Sequence, residues 1–198
     1  MFNSQVAYNA ETFSLETPVL TTERLVLRPP MIEDAEDLAA IANLREIAEM
    51  TRRMPHPYTI SDANAFIGQV INSELQGHIY AVTLADTGHL IGMTSVERRA
   101  HSEALEVGYW LGRKWWGKGY ASEACTAVVD LAFRVTGADV IYAATRPINA
   151  ASRQVLVKQG FTFVGNDEID TLVSGRVAVE RYRLTRDGWL ETRATSRR

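Results

Sequence analysis

The spacing of apolar positions divides the first half of the chain into strands and helices. Residues 24–28 are mostly apolar, and prolines at 29 and 30 end the strand because they cannot donate to a ladder. An acidic turn then precedes apolar residues at helical spacing. Later, two apolar runs flank Asp86-Thr87-Gly88, which is typical of a hairpin. The predicted elements are a strand at 24–28, helices at about 32–44 and 61–75, and strands at 79–84, 90–96 and 104–111.

In the second half of the chain, apolar residues alternate between the spacing of a helix and the spacing of a strand. Gly160 follows an apolar helical pattern, in the position where a left-handed residue ends a helix. A turn around Ser174-Gly175 divides two further apolar runs into a closing hairpin. The predicted elements are helices at 121–135 and 149–159, a short buried strand at 140–144, and strands at 161–164 and 176–184. The polar ends predict tails at 1–20 and 189–198 around a single domain at 21–188.

Composition excludes several classes of protein. The 198 residues carry a formal net charge of -3, so no general positive field favours DNA or an anionic membrane. One cysteine, Cys125, allows no disulfide framework, and we expect it to be a small buried side chain. The four histidines share no metal-ligand spacing, so we predict no metal. The first residues do not have the pattern of a signal peptide, and no apolar run reaches the roughly 20 residues of a membrane helix, which predicts a cytoplasmic protein.

The candidate chemistry lies between residues 106 and 121, where a predicted strand runs through a glycine-bearing loop into a helix. Free N–H groups of such a loop and of the first helical turn converge on one point, where the helix dipole also favours negative charge. Gly117 and Gly119 would let the backbone approach an anion closely, and Lys114 and Lys118 would add positive charge at its rim. The segment therefore predicts a phosphate or pyrophosphate site.

Three phosphate-binding motifs compete for this loop. A P-loop needs Ser or Thr after Gly117-Lys118 to hold magnesium, and Gly119 stands there. A dinucleotide fingerprint needs Gly or Ala where Ser122 stands. The loop of this chain also follows an antiparallel meander, which is the wrong context for such a fingerprint. A coenzyme A loop has a basic or amide residue, two further residues, and then Gly-x-Gly, which Lys114 to Gly119 satisfy.

At this point the chain resembles the GNAT superfamily of acetyltransferases, and within it the branch of ribosomal-protein N-terminal acetyltransferases of the Rim type. The resemblance rests on several blocks in the same order, which together cover nearly the whole predicted domain. These blocks are residues 20–28, 106–111, 115–124, 149–152 and 160–161. The resemblance implies an α/β (α+β) fold of the GNAT type. In it, about four helices flank a mixed central sheet of six to seven strands, antiparallel in its first half and splayed at the cofactor site.

The resemblance also implies the ligand and the residues that bind it. Acetyl-CoA would lie in the splayed gap, with its pyrophosphate on the loop amides and its pantetheine arm against Asn149. Ser152, one helical turn from Asn149, would hydrogen-bond the sulfur as the thiolate leaves. Many members of the superfamily carry a tyrosine as general acid where this chain has Leu156, so the proton donor stays open. The implied cofactor-binding residues are Lys114, Trp115, Trp116, Gly117, Lys118, Gly119, Tyr120, Ala121, Asn149 and Ser152.

Glu106 and Ser152 are the candidate catalytic residues. Glu106 is either a general base that deprotonates the amine or a strand carboxylate paired with an arginine. Ser152 is either a donor to the sulfur or a residue that caps its helix, and Asn149 can cap that helix while also touching the cofactor. Glu97, near the end of the neighbouring strand, is a second candidate carboxylate or an exposed side chain.

The resulting hypothesis is an N-acetyltransferase that moves the acetyl group of acetyl-CoA directly to a primary amine, held beside the thioester, without an acyl-enzyme. A non-catalytic acyl-CoA sensor and a P-loop phosphotransferase are the alternatives. The expected acceptor is a protein N-terminus or a small-molecule amine, and a homodimer through the last strands is compatible with the sequence.

Overall fold

The computed structural model describes residues 17–99 and 104–195, which form one sheet with helices on both faces. The strands are β1 Leu20–Thr21, β2 Leu25–Arg28, β3 Gly77–Leu84, β4 Leu90–Arg98, β5 Leu105–Leu111, β6 Val140–Thr145, β7 Thr162–Thr171 and β8 Gly175–Thr185. The helices are α1 Ala35–Ala42, α2 Arg45–Ala48, α3 Ile60–Ile71, α4 Tyr120–Val135, α5 Ala150–Lys158 and α6 Arg186–Thr195.

The strands follow the order β1-β2-β3-β4-β5-β6-β8-β7, and only β5 and β6 are parallel to each other among the neighbouring pairs described. This confirms the mixed sheet with an antiparallel first half. The strand number is eight rather than six to seven, because the two-residue strand β1 pairs with β2. Helices α2 and α6 were not predicted, so the described residues contain six helices rather than about four.

The parallel strands β5 and β6 separate soon after they meet. Their pairing is confined to Leu105 with Ile141 and Glu106 with Tyr142, although β5 continues to Leu111 and β6 to Thr145. Backbone groups beyond the last pair therefore face an open gap instead of a neighbouring strand. This is the splay that the resemblance implied.

Each face of the sheet has its own hydrophobic cluster. Leu27, Val82 and Val128 belong to the cluster beneath α4, α5 and α6, and Leu38 and Ile67 belong to the cluster beneath α1 and α3. Cys125 lies in the first cluster, buried as predicted, and its burial raises the pKa of its thiol to about 12. Burial on both faces fixes the sheet, and with it the gap between β5 and β6.

Residues 189–195, which the sequence analysis assigned to a C-terminal tail, are part of α6 instead. Trp189 is buried, its ring stacks on Phe133 at 5.2 Å between centroids, and its Nε1 donates to Asp130 at 2.7 Å. Arg193 donates to the same carboxylate. One aromatic anchor thus holds an otherwise polar helix on α4. Residues 1–16 and 196–198 of the predicted tails lie outside the described residues.

None of the helices that the structure describes is both long enough and apolar enough to cross a bilayer.

Candidate active site

The loop between β5 and α4 has the backbone shape of an anion site. Gly117 and Gly119 have φ values of +73° and +83°, in the left-handed region where a Cβ is unfavourable. A Cβ built on Gly117 would meet no atom within 4 Å, so this glycine borders open space. Helix α4 begins directly afterwards at Tyr120, and the N–H groups of its first turn have no partners within the helix. These donors and the helix dipole can hold a phosphate.

The loop is tied to the start of β2 by an ion-pair network. Arg24 donates from Nη1 to the carbonyl oxygen of Lys118 at 3.0 Å, and its Nη2 lies 2.6 Å from Oε2 of Glu123. Its guanidinium also stacks over Tyr120, at 4.6 Å from the ring centroid. Burial opposes ionisation of Glu123, but hydrogen bonds from Thr22 and Arg24 outweigh it and lower the pKa of Glu123. The network fixes the loop before any ligand arrives.

The two tryptophans have different positions. Trp116 donates from Nε1 to the carbonyl oxygen of Leu111 at 2.6 Å, while about half of its side chain stays exposed. Trp115 packs against the core, and the Lys114 ammonium lies 5.5 Å from its ring centroid. The lysine side chains expected at the rim, Lys114 and Lys118, are not part of the cleft lining that the structure describes.

A cleft of about 1890 Å³ runs along the gap and onward between α1, α3 and the β7–β8 hairpin. The structure brings nine residues of the predicted site to this one cleft. They are Glu106, Trp115, Trp116, Gly117, Gly119, Tyr120, Ala121, Asn149 and Ser152.

The free edge of β5 supplies further donors. The N–H of Gly112 donates to Ile91, and the carbonyl oxygen of Gly108 accepts from Thr94, so even-numbered positions of this segment face β4. Backbone groups alternate along a strand, so those of Val107 and Tyr109 point to the opposite side, towards β6 and the gap. The N–H of Val107 takes part in the last pair with β6, whereas the N–H of Tyr109 lies beyond it and can donate to a carbonyl oxygen in the gap.

Asn149, and not Ser152, caps the N-terminus of α5. The Asn149 Oδ1 accepts from the Ser152 N–H at 3.0 Å, which is an N-cap hydrogen bond. The Ser152 hydroxyl instead lies 3.0 Å from the Tyr109 hydroxyl, which also donates to the Ser152 carbonyl oxygen at 3.1 Å. The capping role considered for Ser152 therefore belongs to Asn149.

Sequence reasoning missed Tyr109. Burial holds the pKa of its phenol well above the usual value, so Tyr109 stays neutral and can donate. Leu156, at the position where the resemblance implied a tyrosine, is fully buried and carries no hydroxyl. The only signal in the sequence was the strand period, which places Tyr109 on the same face as Val107 and Leu111.

Glu106 is paired with arginine, which was one of the two possibilities left open. Its Oε2 lies 3.2 Å from Arg99 Nε and 3.2 Å from Arg181 Nη1, and Arg181 also binds Asp167 at 2.9 Å. About a third of the Glu106 side chain, 33%, is still exposed. The carboxylate is thus oriented by its partners and remains accessible from the cleft.

Glu97 stands directly opposite Glu106 in the β4–β5 register. It accepts from Arg53 at 2.7 Å and from the Ser95 hydroxyl at 2.8 Å, with 21% of its side chain exposed. The two carboxylates therefore lie on the same strand pair, and each binds its own arginine partners. Glu97 is for this reason a suitable control for Glu106. Within residues 17–99 and 104–195, no three His, Cys, Asp or Glu side chains are placed to hold a metal ion.

Comparisons with known proteins agree with this geometry. Residues 24–162 match the family described as "Acetyltransferase (GNAT) domain". An uncharacterised N-acetyltransferase of Bacillus licheniformis is 30% identical over 145 residues, which cover 72% of this chain and 81% of that protein. The [ribosomal protein uS5]-alanine N-acetyltransferase of Escherichia coli is 32% identical over 165 residues, covering 79% of this chain and 84% of that protein.

Among solved structures, Mycobacterium smegmatis RimJ in complex with CoA-disulfide superimposes with a TM-score of 0.72 at 20% sequence identity. The match covers 87% of this chain and 90% of that one. At this level of identity the superposition establishes the shared fold.

Proposed function

The chain belongs to the GNAT superfamily of acetyltransferases, and from this premise we propose that it transfers the acetyl group of acetyl-CoA directly to a primary amine. The observation that carries the proposal is the pair of left-handed glycines beside open space, at the mouth of the gap between β5 and β6. Acetyl-CoA supplies an activated acyl group and a thiol leaving group. The residues of this chain bind it, orient it and stabilise the charges that develop during transfer.

Binding would begin at the loop. The N–H groups from Gly117 to Ala121 receive the pyrophosphate, in a cradle that Arg24 and Glu123 hold in place. The pantetheine arm then follows the unpaired edge of β5 into the gap. There the N–H of Tyr109 stabilises negative charge on an acyl oxygen without moving, because the sheet fixes it.

Glu106 takes the role of general base. Its carboxylate lies on β5 at the last paired position before the gap opens. Arg99 and Arg181 orient it, and its exposed third is available to an ammonium or to a bridging water. No acyl-enzyme is required, because the amine and the thioester share one cleft.

Asn149 is proposed to bind the pantetheine arm with its amide N–H groups, while its carbonyl oxygen caps α5. Asn149→Ala should lose both functions, with about 1 kcal/mol less unfolding free energy and about tenfold weaker acetyl-CoA binding. Asn149→Asp should keep the cap and lose only the donors. Calorimetric titration and thermal denaturation of both variants measure the two effects separately. Wild-type affinity in the aspartate variant would leave Asn149 with the capping role alone.

The acceptor is either a protein N-terminus or a small-molecule amine. The E. coli relative is named for an alanine of ribosomal protein uS5. An acetylation screen over N-terminal peptides and small amines distinguishes the two, with free thiol and acetylated product both measured. Preferential turnover of peptides supports a protein substrate, and turnover of small amines alone excludes it. A protein that binds acetyl-CoA and acetylates nothing in either panel would be the acyl-CoA sensor.

A further inference from the structure

The hydrogen bond between Tyr109 and Ser152 crosses the gap in the sheet. Tyr109 belongs to β5, and Ser152 belongs to α5, the helix that follows β6. The two residues are 43 positions apart, and their hydroxyl oxygens lie 3.0 Å from each other. Both line the cleft. This pair therefore joins β5 to α5 at the level where β5 and β6 no longer bond to each other.

The pair has two arrangements of its protons, and they differ in what faces the cleft. The phenol carries one proton, and the Ser152 carbonyl oxygen and hydroxyl oxygen are both within reach, at 3.1 Å and 3.0 Å. If Tyr109 donates to the carbonyl, the serine proton is free to point back at the phenol oxygen. If Tyr109 donates to the serine hydroxyl oxygen, the serine proton must point elsewhere. Only hydrogens rotate between the two states.

We propose that Tyr109 is a positioning residue, which donates to the Ser152 hydroxyl so that the serine proton is directed into the cleft, towards the sulfur of a departing CoA thiolate. This inference rests on the proposed function, because it requires CoA in the gap. No covalent bond to the protein forms or breaks, and both hydroxyls keep their protons. The serine donates a hydrogen bond to the thiolate, and the phenol strengthens that donor by polarising it.

Burial keeps the phenol in its neutral form, which preserves the donor throughout the working range of pH. The arrangement also accounts for Leu156. Ser152 and Leu156 lie one turn apart on the same face of α5, so a phenol arriving from β5 reaches the part of the helix where a tyrosine of the helix itself is absent. The strand supplies the hydroxyl that the helix lacks.

The test is the ionisation of bound CoA, which needs no acceptor. The ultraviolet absorbance of the thiolate is followed against pH as the difference between the protein with CoA and the protein alone. We expect the pKa of bound CoA to rise by about one unit in Ser152→Ala, a tenfold lower thiolate-to-thiol ratio at a given pH. Tyr109→Phe should raise it by most of that amount, and the double variant should add little, because the two hydroxyls act as one unit.

Tyr80→Phe is the matched control. It also removes a buried phenol hydroxyl, and within the described residues that hydroxyl has no hydrogen-bond partner. This variant should titrate as wild type does. Once an acceptor is known, Tyr109→Phe should also lower kcat about tenfold with little change in the KM for acetyl-CoA.

An unchanged titration in a folded, CoA-binding Tyr109→Phe variant overturns the inference and leaves the proposed function intact. Independent, additive shifts from the two single variants overturn it as well. A wild-type protein that does not bind CoA overturns the proposed function first, so the two failures are distinguishable.

Discussion

Gly117→Val is expected to weaken acetyl-CoA binding by about 100-fold, since a side chain there enters the space through which a pyrophosphate must reach the loop amides. Losing two hydrogen bonds to a charged group accounts for an effect of this size. The variant also carries backbone strain, because φ at Gly117 is +73°. Calorimetric titration with acetyl-CoA measures the affinity, and thermal denaturation measures the strain.

Gly88→Val separates strain from blockage. Gly88 lies in the turn between β3 and β4, has φ of +70°, and also borders open space. Both variants should lose a similar amount of stability, about 1–2 kcal/mol or more, and only the Gly117 variant should lose affinity. Equal affinities in the two variants would remove the loop from cofactor binding. Gly119→Val should also bind poorly, but its Cβ would lie 3.3 Å from Arg24 and disturb the ion-pair network too.

Glu106→Gln is expected to lower turnover by about 10²- to 10⁴-fold with a lysine-like acceptor, the range of general base catalysis. A lysine-like ammonium has a pKa near 10.4, whereas a peptide N-terminus has one of about 7.7 to 8.0 and leaves more neutral amine at physiological pH. The loss should therefore be smaller for an N-terminal acceptor. For either acceptor it should be greatest near neutral pH and shrink as rising pH deprotonates the amine.

Glu97→Gln is the control, because Glu97 faces Glu106 across the same strand pair and also binds an arginine. Turnover of the two variants is compared across pH, after folding and cofactor affinity are confirmed. The Glu97 variant should stay near wild type. A Glu106 loss of the same size at every pH would indicate that the carboxylate only holds Arg99 and Arg181 in position. No loss at any pH would remove Glu106 from the mechanism.

Local patterns predicted the parts of the fold that depend on neighbouring residues. The β3–β4 hairpin follows from its turn and its apolar runs, and the glycine loop follows from its place between a strand and a helix. Strand β7 was underestimated, since it continues to Thr171 through a polar stretch that includes Gly165 and Asp167. That stretch is strand because β8 pairs with it, including beyond the register shift between Phe163 and Gly165, which sequence periodicity cannot reveal.

The parts of the site that the backbone forms were predictable from the sequence. The contacts between side chains that lie far apart along the chain were not. Gly117 and Gly119 were identifiable because left-handed backbone requires glycine. The hydrogen bond from Tyr109 to Ser152 and the ion pair from Arg181 to Glu106 join residues that only the folded sheet brings together. The same holds for α6, whose polar sequence gave no indication that Trp189 would dock on Phe133.

The most direct test of acetyl transfer measures both products in one reaction. Wild-type protein and Gly117→Val are each incubated with acetyl-CoA and the best acceptor from the screen. Free CoA thiol and acetylated amine are then quantified together. We expect wild type to form the two in equal amounts, with the variant far slower at the same acetyl-CoA concentration. Thiol release without acetylated amine, or no release of thiol by a protein that binds acetyl-CoA, would contradict direct acetyl transfer to an amine.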